Sequence, residues 1–275
     1  MRAGVHNVRI RSLQQPPPFD LSELLRYRDL IYLLARRDLA VRYKQTLLGI
    51  AWAVLQPVLA MLVFSVVFGQ LAGLPSDGIP YPVFAYLGLL PWTYAASAVS
   101  RSASSLVSNA PLLGKVYFPR LILPLAAVVA PLVDLGLAFL VLVGLMAWYG
   151  ITPSASLLLL LPLVALAGVL ALGVGTAMAA LSVRWRDLLH ALPFLIQVWL
   201  YATPVVYPAS LVPDRYRLLF HLNPMTGLVE GFRAAALGRP FELAGLALTA
   251  ACVMGLLLAG VWLFRRAELT LSDVL

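Results

Sequence analysis

The feature that most constrains this chain is a series of long apolar runs that lack charged side chains. Residues 45–76 contain no Asp, Glu, Lys or Arg, and residues 78–100 contain none either. A helix that crosses a bilayer needs about 20 predominantly apolar residues. Charged residues make up 12% of the chain, whereas soluble domains carry about 25%. We therefore expect an all-α integral membrane protein, and the composition excludes a soluble domain with a large core.

Six such runs predict six transmembrane helices in one domain that covers residues 1–275. Their expected bounds are 51–71, 83–107, 121–149, 155–183, 188–207 and 243–264. Lys and Arg are enriched on the cytoplasmic side of membrane proteins. With both termini in the cytoplasm, sixteen of the twenty Lys and Arg residues lie on that side. We expect a multi-pass protein of the inner (cytoplasmic) membrane. Its positive charge indicates contact with anionic membrane lipid rather than with nucleic acid.

The segment before the first span is amphipathic rather than uniformly apolar. We expect a cytoplasmic tail over residues 1–19 and an interfacial helix over 20–46. Asp20 and Glu23 have the spacing of a capping box that opens the helix. The charges between residues 26 and 44 make crossing the bilayer costly, so the helix should lie on the cytoplasmic membrane surface. A plain solvent-exposed helix is the alternative.

Residues 208–242, which connect the last two predicted spans on the outer side, carry the four remaining arginines. A first helix is expected over about 214–222. Asn223 followed by Pro224 is typical of an N-cap with proline at the first helical position. The second helix should end at Gly238, because glycine readily adopts the left-handed conformation that follows a helix.

Both helices of this segment are too short to cross the membrane, since each has roughly 10–14 residues where a span needs about 20. They are also too apolar to lie freely in water. We therefore predict a re-entrant helical hairpin that dips into the outer leaflet, with Asn223 and Pro224 at its turn. Glu230 and Arg233 can pair on the polar side of the second helix, and Phe232 can be buried. A hairpin lying on the surface is the alternative.

The chain carries no recognisable source of energy for transport. No G-x-x-x-x-G-K-[ST] motif is present, and the three histidines are scattered without metal-ligand spacing. We expect no catalytic, cofactor-binding or metal site, and so no enzyme. Energy would come from a partner on the cytoplasmic face. The segment NAPLLGKVYFPRLILPL at 109–125, apolar, basic and bounded by prolines, has the best shape for contacting it.

Polar and aromatic residues inside the predicted spans are the candidates for a translocation path. Asp134 is an isolated acid in the third span, where a charge is costly, and Arg101 could reach it as a structural partner or as part of the path. Phe194, Trp199 and Tyr201 in the fifth span could line a channel, because flat aromatic faces contact the C–H groups of sugars. An interfacial belt of aromatics is the alternative for Tyr201.

Five motifs in order resemble the membrane-spanning permeases of polysaccharide ABC exporters, the type-2 group that includes O-antigen, capsule and teichoic-acid permeases. They are RDLAVRYKQTLLGIAWAVLQP at 37–57, GLLPW at 88–92, NAPLLGKVYFPRLILPL at 109–125, ATPVVYP at 202–208 and LNPMTGLVEGFR at 222–233. Together they span nearly the whole chain.

The resemblance implies a homodimer that exports a lipid-linked polysaccharide such as O-antigen, driven by two ABC ATPase subunits that bind ATP and Mg²⁺. It implies that the loop between spans two and three is a coupling helix on the ATPase, with apolar side chains filling a cleft and basic ones at its rim. Those residues are Leu112, Leu113, Lys115, Val116, Tyr117, Phe118, Pro119 and Arg120. It also implies that the hairpin is the extracytoplasmic gate.

Other functions require features that differ from these. A type-2 ABC exporter of drugs or lipids is the nearest alternative. An integral membrane enzyme acting on lipid-linked sugars would need paired acids or a metal site, and a gradient-driven carrier would need more buried charge.

Overall fold

The computed structural model of the protein describes residues 21–44 and 49–268. This part of the chain is helical and contains no strand, which confirms the prediction of an all-α protein. Asp20 lies outside the described residues, so the predicted capping box cannot be compared with the structure.

Twelve α-helices follow one another along the described residues. The first two are α1 (Leu21–Arg26) and α2 (Arg28–Tyr43). The next is α3 (Ala51–Phe64), which continues as a π-helix over Ser65–Leu71. It is followed by α4 (Tyr81–Ser108), α5 (Ala110–Leu113), α6 (Ile122–Val129) and α7 (Leu132–Trp148), and then by a 3-10 turn over Ala155–Leu159 that leads into α8 (Leu160–Arg184). The last helices are α9 (Asp187–Tyr201), which a 3-10 turn over Ala209–Leu211 follows, α10 (Asp214–Leu222), α11 (Pro224–Leu237) and α12 (Leu243–Glu268).

Five helical stretches within the described residues are long and apolar enough to cross a membrane: Ala51–Leu71, Tyr81–Ser108, Ile122–Trp148, Ala155–Arg184 and Leu243–Glu268. They coincide with five of the six predicted spans. The fifth predicted span, 188–207, instead holds α9, which ends at Tyr201. Fifteen residues reach about 22 Å at 1.5 Å per residue, against a hydrocarbon core of about 30 Å. The count of six spans therefore stays a prediction.

The helix α9 ends early because of the sequence that follows it. Proline disfavours the helical conformation of the residue before it, and Pro204 places that restriction on Thr203. The chain turns over residues 202–206 instead of continuing as a helix. This turn is buried, with Thr203 and Val205 fully shielded from solvent, so its backbone polar groups need partners inside the protein.

The core is built around α4, whose side chains are buried along most of its length. Small residues that recur every four positions let α8 approach it closely, and Gly175 on α8 lies directly against Ser102 on α4. Gly173 and Gly260 form a similar close crossing of α8 with α12. Close approach at small residues is the usual basis of helix packing in membranes. The bundle therefore depends on tight helix contacts.

The two ends of the bundle differ in character. We call the end that carries α2 and residues 109–120 the basic end, and the end that carries residues 202–242 the hairpin end. The helix α4 runs from the hairpin end at Tyr81 to the basic end at Ser108. At the basic end a second apolar cluster joins α2, α6, α8 and α12, and its members include Leu34, Ile122, Ala179 and Phe264. This cluster holds the amphipathic helix α2 against the bundle.

Candidate functional site

A buried arginine organises the hairpin end. The Arg233 side chain on α11 is only 4% exposed. Its guanidinium donates hydrogen bonds to the carbonyl oxygens of Pro204 at 2.9 Å and of Val205 at 2.7 Å, and to Glu230 Oε1 at 2.8 Å. The guanidinium carbon also lies 3.6 Å from the centre of the Phe84 ring. We call Pro204, Val205, Glu230 and Arg233, with Phe84, the Arg233 cluster.

The cluster explains how the turn after α9 can be buried. The carbonyls of Pro204 and Val205 accept no other hydrogen bond given by the described structure, and the planar guanidinium fork reaches both at once. The approach is close, because a Cβ atom on Gly88 would lie 2.6 Å from the Val205 carbonyl oxygen. Glycine at position 88 is therefore what lets α4 contact this turn.

The turn of the hairpin is held by Asn223. Its Oδ1 accepts hydrogen bonds from the Met225 N–H at 3.1 Å and from Trp199 Nε1 at 2.9 Å, while its Nδ2 donates to Thr203 Oγ1 at 2.9 Å. The predicted N-cap at Asn223 is confirmed, as is the end of the helix at Gly238, which has φ 65°. One side chain thus joins α9, the 202–206 turn and α11.

The turn lies well inside the bundle. Trp199 packs edge-to-face on Trp92, with ring centres 5.5 Å apart. Trp92 is about 16 Å along α4 from Tyr81, at 1.5 Å per residue. The helix α11 then runs back toward the hairpin end, buried against α4, α8 and α12. That the hairpin enters the outer leaflet and acts as a gate stays a prediction.

The predicted pair of Glu230 and Arg233 is confirmed, but its placement on a polar face is wrong. Arg233 points into the core next to Phe232, which is also buried. Spacing along one helix indicated that the two residues could meet. It could not show that a separate turn, nearly thirty residues earlier, supplies two carbonyls that pull the arginine inward.

The three aromatic candidates for the translocation path do not lie together. Trp199 is half-buried and supports the hairpin turn. Phe194 is 68% exposed, and Tyr201 is also exposed, both on the outward side of α9 in the single chain. The hydrogen bond from Trp199 to Asn223 therefore supports a role of Trp199 in holding the hairpin. Phe194 and Tyr201 are exposed and can contact a partner, lipid or substrate.

Asp134 has partners, and the expected partner Arg101 is not among those that bond to it. It lies in the first turn of α7, just after the break between α6 and α7. Its carboxylate accepts hydrogen bonds from Arg42 and from the Tyr43 hydroxyl at the end of α2. Arg101 instead donates to Ser97 Oγ at 3.4 Å. Burial, together with the bond to Asp134, raises the pKa of the Tyr43 phenol to about 12, so the phenol keeps its proton.

We expect Asp134→Asn to lower the free energy of unfolding by about 1 kcal/mol, since a charge-assisted hydrogen bond is stronger than a neutral one by about that amount. Thermal unfolding in detergent measures it. Asp29→Asn is the matched control, because Asp29 is almost fully exposed beside Arg28 and such pairs contribute little. Equal midpoints for both variants would show that the contact of α2 with Asp134 does not stabilise the fold.

The segment at 112–120 presents fewer residues than the sequence suggested. Leu112 and Leu113 are half-buried against the apolar cluster of the basic end. Phe118 is only 5% exposed and belongs to the same cluster. The expectation that Phe118 fills a cleft on a partner is therefore wrong, because the loop folds this ring back into that cluster.

The remaining residues of the segment are divided between support and presentation. Arg120 Nη1 donates a hydrogen bond to the Glu268 carbonyl oxygen at 3.0 Å, which ties the loop to α12, and Pro119 is half-buried beside it. Lys115 and Val116 are exposed, and Tyr117 is 87% exposed. We call Lys115, Val116 and Tyr117 the exposed tip. The described structure therefore leaves this tip free for contact at the basic end.

The sequence of the chain is similar to a known protein family and to named members of it. The family model described as "ABC-2 type transporter" matches residues 29–237. The chain is 35% identical over 215 residues to the O-antigen export system permease protein RfbA of Myxococcus xanthus, covering 77% of this chain and 82% of that protein. It is 31% identical over 210 residues to the RfbA protein of Klebsiella pneumoniae, covering 74% and 79%.

A more distant relative is named for a different substrate. The polysialic acid transport protein KpsM of Escherichia coli is 25% identical over 241 residues, which cover 84% of this chain and 91% of that protein. The range matched by the family model contains both the exposed tip and the Arg233 cluster.

Proposed function

The chain belongs to the ABC-2 type transporter family, and from this premise we propose that it is the permease subunit of an ATP-driven exporter of a lipid-linked polysaccharide such as O-antigen. The observation that carries the proposal is the 35% identity to a protein named as an O-antigen export permease, over most of both chains. The KpsM relative, named for polysialic acid transport, also favours a glycan substrate.

ATP would be bound and hydrolysed by a separate ABC ATPase, because this chain lacks the phosphate-binding loop that ATP and Mg²⁺ require. The exposed tip is the surface that we assign to the ATPase. It is presented on a supported loop, since Arg120 contacts α12 and the Arg37 guanidinium donates to Asn109 Oδ1 at 2.7 Å. A push on the tip would thus reach α2 and α12 together.

We assign the basic end to the cytoplasm of a cell with the protein in its inner (cytoplasmic) membrane. The reason is the enrichment of Lys and Arg at that end. The working unit is a homodimer with two ATPases, with the path between two copies of this chain. The outward aromatics Phe194 and Tyr201 on α9 are available to line it.

The hairpin is the proposed exit gate on the opposite side. Its two helices differ in how extensively they pack against the bundle, so we assign α10 as the helix that moves and α11 as the helix that stays in place. Residues 215–219 of α10 are exposed, whereas α11 is buried. Movement of α10 at the Asn223 turn would open the exit without breaking the Arg233 cluster.

We predict that single cysteines at Met225 and Leu228, in a Cys252→Ser background, are shielded from a membrane-impermeant thiol reagent at rest, because both positions are buried. During ATP-driven export their labelling should increase, because movement of α10 would uncover the start of α11. A cysteine at the exposed Leu218 is the control, and it should label in both states. Labelling of Met225 and Leu228 that does not change with ATP would mean that the hairpin is not a gate.

Reconstitution tests the whole proposal. Vesicles containing the permease with its ATPase, and a fluorescent lipid-linked glycan, should deliver the glycan across the membrane with ATP and not with a non-hydrolysable analogue. Transport of drugs or lipids but no glycan would favour the other type-2 exporters. Transport with an ion gradient and no ATP, or chemical change of the glycan without the ATPase, would contradict the proposal.

A further inference from the structure

A small polar cavity lies at the hairpin end, away from the Arg233 cluster. Its volume is about 220 Å³, and it opens between the 3-10 turn at Ala209–Leu211, the helix α10, the first turn of α11 and the residue that precedes α12. The polar and aromatic residues of its wall are Ser210, Arg217, Phe220, His221, Thr226 and Glu242. Four separate parts of the chain thus meet around one space.

One wall residue lacks the partner that its chemistry requires. Thr226, in the first turn of α11, is 3% exposed, and its Oγ1 is buried with no hydrogen-bond partner in the described structure. Buried hydroxyl groups almost always have a partner, and an exception calls for an explanation. Thr226 lines the cavity, so a bound ligand would supply that partner once the wall moves enough to expose Oγ1.

The wall suits a neutral polyol better than an ion. It combines the guanidinium of Arg217 and the imidazole of His221 with the carboxylate of Glu242, so the wall holds both hydrogen-bond donors and acceptors and charges of both signs. Ser210 is held in place by its hydroxyl, which donates to Asp77 Oδ1 at 3.2 Å. An anion would meet Glu242, and a cation would meet Arg217.

The cavity also offers an aromatic face and a limited volume. The Phe220 ring is fixed edge-to-face against Tyr207, with ring centres 6.4 Å apart, and such a face can pack on the C–H groups of a sugar ring. Sites for drug-sized ligands measure about 300–1,000 Å³. The 220 Å³ here therefore favour one ring rather than a lipid or a drug.

We propose that this cavity binds a single uncharged sugar ring of the exported glycan as the chain leaves the membrane. The inference rests on the proposed function, since it names a substrate subsite of the same exporter. A ring bound there would contact the 209–212 segment, α10 and the first turn of α11 at once. Binding of a sugar ring in the cavity would thus act directly on both helices of the hairpin.

Saturation-transfer NMR on the permease–ATPase complex in lipid nanodiscs tests this, with the methyl glycosides of glucose, mannose and N-acetylglucosamine as probes. At least one probe should receive saturation from the wild-type complex. Thr226→Val should lower its affinity about tenfold, as expected for one lost hydrogen bond, and should raise the thermal midpoint, because a buried hydroxyl without a partner is removed. Glu242→Gln, at an exposed position, should weaken binding without affecting folding.

Ser102→Ala is the matched control. Ser102 Oγ is also buried without a partner in the described residues, but it lies on α4 against Gly175. This variant should raise the midpoint and leave sugar binding unchanged. No saturation of any probe by a complex that still exports glycan would overturn the subsite and leave the proposed function standing. Equal binding of glycerol, or competition by inorganic phosphate, would also overturn it.

Discussion

Replacing Arg233 by methionine is expected to lower the free energy of unfolding by roughly 2–6 kcal/mol, because two buried carbonyl groups lose their donors at about 1–3 kcal/mol each. Those groups are the carbonyls of Pro204 and Val205. Methionine fills much of the same volume, so the loss reports the hydrogen bonds rather than a cavity. With the 202–206 turn released, export should also fail.

Two further variants define this result. Arg233→Lys keeps the charge but not the planar fork, so one ammonium cannot reproduce the arrangement, and we expect most of the loss to remain. Arg215→Met makes the same change at an exposed position of α10, where effects stay within about 0.5 kcal/mol. Thermal unfolding in detergent and delivery of glycan to the cell surface measure both. If the Arg233→Met protein is as stable as wild type, the Arg233 cluster does not stabilise the hairpin.

The double substitution Val116→Asp and Tyr117→Asp is expected to abolish ATP-driven export while the thermal midpoint stays at the wild-type value. Both side chains are exposed in the single chain, so carboxylates there cost little in folding. In a contact with an ATPase the same carboxylates would be taken out of water, which costs several kcal/mol per ion. The measurements are ATP-driven transport in vesicles and co-purification of the ATPase with the permease.

Phe118→Asp provides the contrast for this experiment. Its ring is buried in the cluster of the basic end, so a carboxylate there should lower the midpoint and reduce the amount of folded protein. A variant at Phe118 would therefore lose export for a reason unrelated to the ATPase. If the double variant at positions 116 and 117 exports at the wild-type rate, the ATPase contacts a different surface.

The hairpin could be placed from sequence because its signals are local. Asn223 and Pro224 begin a helix and Gly238 ends one, and the chemistry of each works within a few residues. The direction of Arg233 could not be predicted in this way. Its acceptors belong to a turn formed where α9 stops, and Gly88 on a third element is needed to leave room for that turn.

At the basic end, too, the sequence predicted the segment but not the direction of its side chains. A short apolar loop with charges and prolines could be recognised in residues 109–125, but which of its side chains face outward depended on the room left in the apolar cluster of the basic end. Phe118 fills that space and Tyr117 does not. Likewise Arg42 and Tyr43 reach Asp134 only because α2 packs along α6.

The sequence by itself determined the class of protein, the positions of the five long apolar stretches and the start and end of α11, because hydrophobicity over about 20 residues and the chemistry of Pro, Gly and Asn act locally. The tertiary structure decided which polar groups are partners and which apolar residues are presented. The physical reason is that a buried hydrogen bond or a filled gap depends on atoms from distant parts of the chain. The spacing of residues along the sequence does not predict which distant atoms come into contact.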